Sequence, residues 1–133
     1  SYAPKIVQCI NDFGSNYSEY KMAYLNSNPQ VVEVTPTDLQ ALINNNGEVK
    51  VTFSKPMMIY AYTLGIPQNV AEGYIKVPMH TEKEPYWSDD TTFVFYVDIS
   101  SFDSEAKYVI ELQSEGFMTS DYTHLKDSYI IYF

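Results

Sequence analysis

Residues 49–57 constrain the fold of this chain more than any other stretch of the sequence. Val49, Val51 and Phe53 alternate with polar residues, and a Lys-Pro-Met break then ends the run. Successive side chains of a β-strand point to opposite faces, so a period of two places these three apolar residues on one face. The stretch therefore predicts a strand with one face in a core and the other toward solvent.

Alternating runs recur from residue 31 onward, with turn-forming residues between them. They lie at residues 31–35, 58–64, 74–77, 93–97, 108–112 and 128–133. Short strands at this spacing predict an all-β, immunoglobulin-like antiparallel sandwich rather than alternating βα units. The predicted core takes the apolar residues on one face of these runs and one nearby tryptophan: Val32, Val34, Val49, Val51, Phe53, Trp87, Phe93, Phe95, Tyr108, Ile110, Leu112 and Ile131.

The first thirty residues follow a helical period instead. Their apolar residues recur at spacings of three and four, at Ile6, Ile10, Phe13, Tyr17, Tyr20 and Tyr24. This spacing places them on one face of a helix, so we predict a short helical extension near residues 4–26. It would either cover an end of the sandwich or form the tail of a preceding domain. We therefore divide the chain into a helical leader or domain junction, residues 1–30, and a sandwich, residues 31–133.

The charge of the chain excludes several classes of partner. Eight lysines and no arginine stand against 17 acidic residues, which gives a net charge of −9. Such a surface repels phosphate backbones and lacks the guanidinium groups that bind phosphate and guanine with two hydrogen bonds. No apolar run approaches the roughly 20 residues needed to span a bilayer. We therefore expect neither nucleic acid as a partner nor insertion into a membrane.

Catalytic and metal-binding chemistry finds little support in the sequence. Cys9 is the only cysteine, and His80 and His124 lie in no recognisable nucleophile motif. Four carboxylates lie close together in sequence, at Glu82, Glu84, Asp89 and Asp90. They could act as the acid and base of a glycosidase, but they are equally typical of a solvated turn. We predict no enzymatic activity, no catalytic residues, no cofactor and no metal site.

Residues 31–133 resemble bacterial immunoglobulin-like domains of surface and secreted proteins. The matching motifs are a valine-rich strand ending in Thr-Pro at residues 31–36, the Thr-Phe-Ser-x-Pro-Met strand at 49–57, the Trp-Ser-x-Asp turn at 87–90 followed by Thr92-Phe93, and the Tyr-x-apolar-x-Leu strand at 108–112. The family often has an Asp-x-x-Gly turn before its last strand. Residues 121–125 lack that glycine.

The resemblance implies a structural or adhesive module of an extracytoplasmic bacterial protein, secreted or at the cell surface. Its partners would be neighbouring domains of a longer chain or another surface protein. The alternative is a carbohydrate-binding module, because exposed aromatic rings can stack on the apolar faces of sugars. The candidate binding residues are the tyrosines of the central region, Tyr60, Tyr62, Tyr74 and Tyr86, with Trp87 either among them or in the core.

Overall fold

The computed structural model describes residues 27–69, 72–103 and 105–133 of the chain. The helical extension predicted near residues 4–26 lies outside the described residues, and so does Cys9. The division of the chain at residue 30 therefore stays a prediction.

The described residues form two β-sheets that share one core. The strands are β1 (Val31–Thr35), β2 (Glu48–Phe53), β3 (Leu64–Gly65), β4 (Tyr74–Lys76), β5 (Tyr86–Asp89), β6 (Thr92–Tyr96), β7 (Lys107–Leu112) and β8 (Tyr129–Tyr132). One short helix, α1 (Leu39–Asn44), connects β1 to β2, and 3-10 turns at Ile99–Ser101 and Ser114–Gly116 flank β7.

Pairing in both sheets is almost entirely antiparallel. Sheet 1 has the strand order β1-β2-β6-β5. In sheet 2, β7 is central, with β8 along one edge and β3 and β4 along the other. Only the short β4–β7 pair is parallel among the described strands. This arrangement confirms the all-β, immunoglobulin-like sandwich predicted from the alternating runs.

The core lies between the inward faces of the two sheets. Val49 and Val51 of β2 are fully buried and pair with Phe95 and Phe93 of β6, as their alternation predicts. The ring of Phe53 stacks on Phe117 with centroids 5.5 Å apart. Aromatic pairs of this kind stabilise a core beyond the area they bury.

Trp87 lies at the margin of this core rather than on the surface. Its indole ring lies 5.4 Å from the ring of Phe53 and 5.2 Å from that of Phe93. The indole N–H donates a hydrogen bond of 3.1 Å to the carbonyl oxygen of Ala61. The polar atom of the ring is thus satisfied inside the protein, and Trp87 is a packing residue.

The prediction that Val32 lies in the core is wrong. The pairing of β1 with β2 shifts at a bulge between Val31 and Glu33, so two residues of β1 face one position of β2. Val31 and Val34 therefore both pack against the core, while Val32 is 48% exposed. A single inserted residue reverses the face of a strand, and the sequence alternation alone gave no sign of it.

We expect Val32→Thr and Val51→Thr to differ sharply in stability. Threonine keeps the β-branched shape at both positions, so strand propensity changes little. At Val51 the new hydroxyl would be buried without a partner, and urea denaturation should show a loss of about 1–3 kcal/mol. At Val32 it would reach solvent, and the change should stay within about 0.5 kcal/mol. Equal losses at the two positions would contradict the bulge.

The strand predicted over residues 58–64 is also wrong in most of its length. Only Leu64–Gly65 forms a strand, and residues 56–63 form a loop. The backbone groups of this loop form hydrogen bonds that are not part of a β-sheet. Met58 N–H donates to Met118 O, and Ala61 O accepts from the indole N–H of Trp87. Backbone polar groups can be satisfied by such partners as well as by a neighbouring strand.

The turn at residues 44–47 joins α1 to β2. Asn46 and Gly47 both have positive φ, of 57° and 82°. The N–H of Gly47 donates to Leu42 O, and its carbonyl accepts from Val97 N–H at 2.9 Å. A Cβ at Gly47 would overlap with the carbonyl oxygen of Val97, so glycine is required here both for conformation and for space.

Residues 27–30, which precede β1, are attached to the sandwich by hydrogen bonds. Gln30 and Ser54 form two hydrogen bonds. The N–H of Gln30 donates to Ser54 Oγ, and the N–H of Ser54 donates to Gln30 O. Asn28 Nδ2 donates to His124 O at 2.8 Å. Lys55, only 7% exposed, donates to Ser27 O at 2.6 Å. Burial lowers the pKa of the Lys55 ammonium, while the charge of Asp121 opposes that shift.

Candidate functional site

Tyr60 and Tyr62, two of the tyrosines proposed for sugar binding, lie together on the loop at residues 56–63. Tyr60 is 88% exposed, and no ring contact holds it within the described residues. Tyr62 is 42% exposed and rests against the ring of Phe93 at a centroid distance of 5.2 Å. The loop therefore presents one free ring and one half-packed ring to solvent.

Tyr86 lies instead on the outer face of sheet 1. It pairs with Val94 of β6, whose neighbours Phe93 and Phe95 point into the core. Its ring is nearly parallel to that of Tyr96, with planes 17° apart and centroids 6.4 Å apart. Tyr96 in turn donates a hydrogen bond of 3.1 Å from its hydroxyl to Glu48 Oε2.

Tyr74 lies on the outer face of sheet 2, on the far side of the sandwich from Tyr86. It pairs in register with Lys107, whose ammonium is 5.6 Å from the centre of the Tyr74 ring. The ring of Tyr132 meets it edge-on at 5.1 Å. The structure thus brings together Tyr60 and Tyr62 but separates Tyr74 and Tyr86 on opposite faces, so the four rings do not share one surface.

Tyr122 is an exposed tyrosine that the sequence reasoning missed. It is 73% exposed and has a φ of 67°, in a turn where its N–H donates to Thr119 O. The carboxylate of Asp121 holds this turn by accepting hydrogen bonds from the hydroxyl of Thr119 and the N–H of Thr123. These hydrogen bonds form the turn although the loop lacks the glycine of the family pattern.

In the cluster of Tyr86, Tyr96 and Glu48, the surroundings of Tyr96 raise its pKa. The side-chain hydrogen bond with Tyr86, then burial, then Glu48 raise the pKa of Tyr96 to about 12. A raised tyrosine pKa stabilises the fold fully below the ordinary value of 10.0, and this contribution is lost as the pH rises through the folded value.

We expect Tyr86→Phe to lower the pKa of Tyr96, because it removes the largest cause of the shift. An NMR or ultraviolet titration at alkaline pH would measure the change. Tyr132→Phe serves as the control, since Tyr132 lies in sheet 2 and should leave the pKa of Tyr96 unchanged. An unchanged Tyr96 titration in Tyr86→Phe would show that Tyr86 does not cause the shift.

Asp89 and the two imidazoles considered for catalysis make contacts with nearby residues. Asp89 accepts hydrogen bonds from the N–H and hydroxyl of Thr91, and the backbone bond is the main reason why its pKa is lowered. His80 Nδ1 accepts from the N–H groups of Glu82 and Lys83. His124 Nδ1 lies 2.6 Å from Leu125 O. These contacts are of the kind that stabilise turns.

A concave surface on the outer face of sheet 2, which we call the trough, has a volume of about 520 Å³. Residues 66–69 form one wall, Glu111 and residues 113–115 form the floor and one end, and Ser128 and Ile130 form the other wall. No sequence pattern indicated it, because its residues come from three separate segments. Its volume is in the range of small-ligand sites.

The described residues contain neither a cluster of metal-binding side chains nor a helix that could span a membrane. Within residues 27–69, 72–103 and 105–133, no three His, Cys, Asp or Glu side chains cluster closely enough to hold a metal ion. In the same residues, no helix has the length and apolar character to cross a membrane.

The fold defines the class of the protein: two mainly antiparallel sheets that pack on a shared aromatic core form an immunoglobulin-like sandwich. Comparison with protein families matches residues 26–129 to the bacterial Ig-like domain family, so the chain belongs to that family. This match confirms the resemblance that the strand motifs indicated. Domains of this family are typically modules of bacterial surface proteins and are generally not catalytic. Comparisons with curated proteins and with solved structures gave no match.

Proposed function

We propose that this chain is a non-catalytic structural or interaction module of an extracytoplasmic bacterial protein. The observation that carries the proposal is the family match over residues 26–129, which covers more than three-quarters of the 133 residues. Such a module holds its neighbours at a defined distance or presents a surface to them. Its partners are the neighbouring domains of a longer chain or another surface protein.

The attachment of residues 27–30 supports this proposal. Four hydrogen bonds join this segment to residues Ser54, Lys55 and His124, and Pro29 is buried. Residues 27–30 are thus held against the sandwich, whereas a flexible linker would make few such bonds. A firmly attached end suits a module that sets the geometry of its neighbours.

The location is tested on intact cells of the source bacterium. Antibodies raised against the 133-residue chain should label intact cells or precipitate the protein from the culture medium. Protease added to intact cells should also remove the labelled epitope, while a cytoplasmic control protein survives. Labelling that appears only after lysis, with no antigen in the medium, would refute the extracytoplasmic assignment.

The absence of catalysis is tested with purified chain and peptide, ester and glycoside substrates. We expect no turnover above that of a heat-denatured sample. Turnover that disappears on changing Cys9, His80 or His124 would contradict the proposal, since those are the residues with nucleophile or imidazole chemistry.

A further inference from the structure

The floor of the trough is shaped by a glycine. Across sheet 2, Gly65 of β3, Glu111 of β7 and Ile130 of β8 lie side by side in register. A Cβ at Gly65 would overlap with the side-chain amide of Gln113, so that amide lies in the space that the glycine leaves free. Because Gly65 has no side chain, the space on one side of Glu111 stays open and the Gln113 amide occupies it.

Five polar side chains of the trough make no hydrogen bond or ion pair within the described residues. Gln68, Asn69 and Gln113 make no side-chain hydrogen bond within the described residues, and Glu111 and Glu115 make no ion pair there. By contrast, Ser128 Oγ accepts from Ser114 N–H and fixes the end of the trough. Three amides and two carboxylates therefore offer donors and acceptors together on one concave surface.

We propose that the trough binds a neutral, hydroxyl-rich ligand, an oligosaccharide. Each sugar hydroxyl is both a donor and an acceptor, which matches amide side chains that carry both functions and carboxylates that accept. The partly exposed Ile66 and the half-buried Ile130 supply apolar contact for the C–H faces of a sugar ring. None of the four tyrosines considered for sugar binding lines this site, and a ligand site goes beyond the role of a structural module.

Charge and backbone pairing argue against two rival ligands, an anion and a peptide that adds to β7. The trough residues include two glutamates and no lysine in the described chain, so an anionic ligand would be repelled. A peptide that adds to a sheet needs a strand with free backbone groups. The floor strand β7 has none to offer along Glu111, because β3 and β8 pair with its two edges there.

The proposal is tested on the complete 133-residue chain with short neutral oligosaccharides of glucose, galactose, mannose and N-acetylglucosamine. An array screen followed by NMR titration should show saturable binding, with shifts in the backbone amides of Asn69, Glu111 and Gln113. The affinity should change little with salt, because a neutral ligand carries no charge to be screened. No saturable binding to any of these sugars would overturn the proposal.

Variants assign the binding to the trough. Glu111→Ala and Gln113→Ala should each weaken binding about tenfold, since each removes hydrogen bonds that the ligand would make. Gly65→Ala should also weaken it by displacing the Gln113 amide without removing a polar group. Glu105→Ala is the matched control, an exposed carboxylate in the connection before β7. Thermal denaturation of each variant checks that the fold is kept.

Other outcomes would overturn the site. Binding that survives both trough variants but is lost in Tyr60→Ala or Tyr86→Ala would place the sugar at the tyrosines. Salt-dependent binding of spermidine or a lysine-rich peptide, with no response to sugars, would make the trough a cation-binding surface. Because neither result depends on where the parent protein is located, the test is independent of the proposed structural role.

Discussion

Replacing Phe53 with alanine is expected to lower the free energy of unfolding by about 3–5 kcal/mol. The ring is 2% exposed and packs against Phe117 and Trp87 with centroids 5.5 and 5.4 Å away. Alanine would leave a cavity that these rings cannot fill, because each is held by its own contacts with Phe93. Urea denaturation followed by tryptophan fluorescence measures the loss directly.

Tyr60→Ala is the control for that measurement. Tyr60 is also aromatic and follows Phe53 closely in sequence, but it is 88% exposed. Its removal should change the stability by no more than about 0.5 kcal/mol. A loss at Phe53 below about 1 kcal/mol would mean that the two sheets do not share the aromatic core described above.

Gly47→Ala is expected to destabilise the fold by about 3 kcal/mol or more, for two independent reasons. Its φ of 82° disfavours any residue with a Cβ. The Cβ would also overlap with Val97 O, a backbone atom of the segment that bonds to Gly47. Relief of that overlap requires the turn after α1 to move away from the end of β6.

Gly73→Ala separates these two costs. Gly73 has a similar φ of 91°, but a Cβ placed there would meet nothing within 4 Å. It should therefore cost only the conformational part, about 1–2 kcal/mol. The difference between the two variants in thermal or urea denaturation measures the overlap at Val97, and equal losses would contradict the close approach.

The sequence predicted the fold correctly where the alternation of apolar and polar residues alone determines which face of a strand is buried. Val49, Val51 and Phe53 lie on a central strand with one buried face. No bulge interrupts this strand, so period-two alternation predicts its buried residues correctly. The valines of β1 were only partly predicted, because the edge strand has a bulge that alternation cannot show. Residues 58–64 alternate as well as any strand, but there the loop is held by Trp87 and Met118 instead of a ladder.

The candidate sites show a different limit of sequence reasoning. Local density of tyrosines suggested one platform, but strand order placed Tyr74 and Tyr86 on opposite faces. The trough had no sequence signal, because register sets it: Gly65, Glu111 and Ile130 become neighbours only when β3, β7 and β8 pair. A single glycine in a two-residue strand is too weak a pattern to indicate a binding surface on its own.

The placement of β1 and β8 in different sheets has a mechanical consequence. Tension applied between residues 31 and 133 would pass through the β1–β2 ladder, across the shared core, and into the β7–β8 ladder. Each ladder has four registered pairs, but only the first is interrupted by a bulge. Since ladders loaded in series yield at the weaker one, we expect a pulled domain to open first at β1.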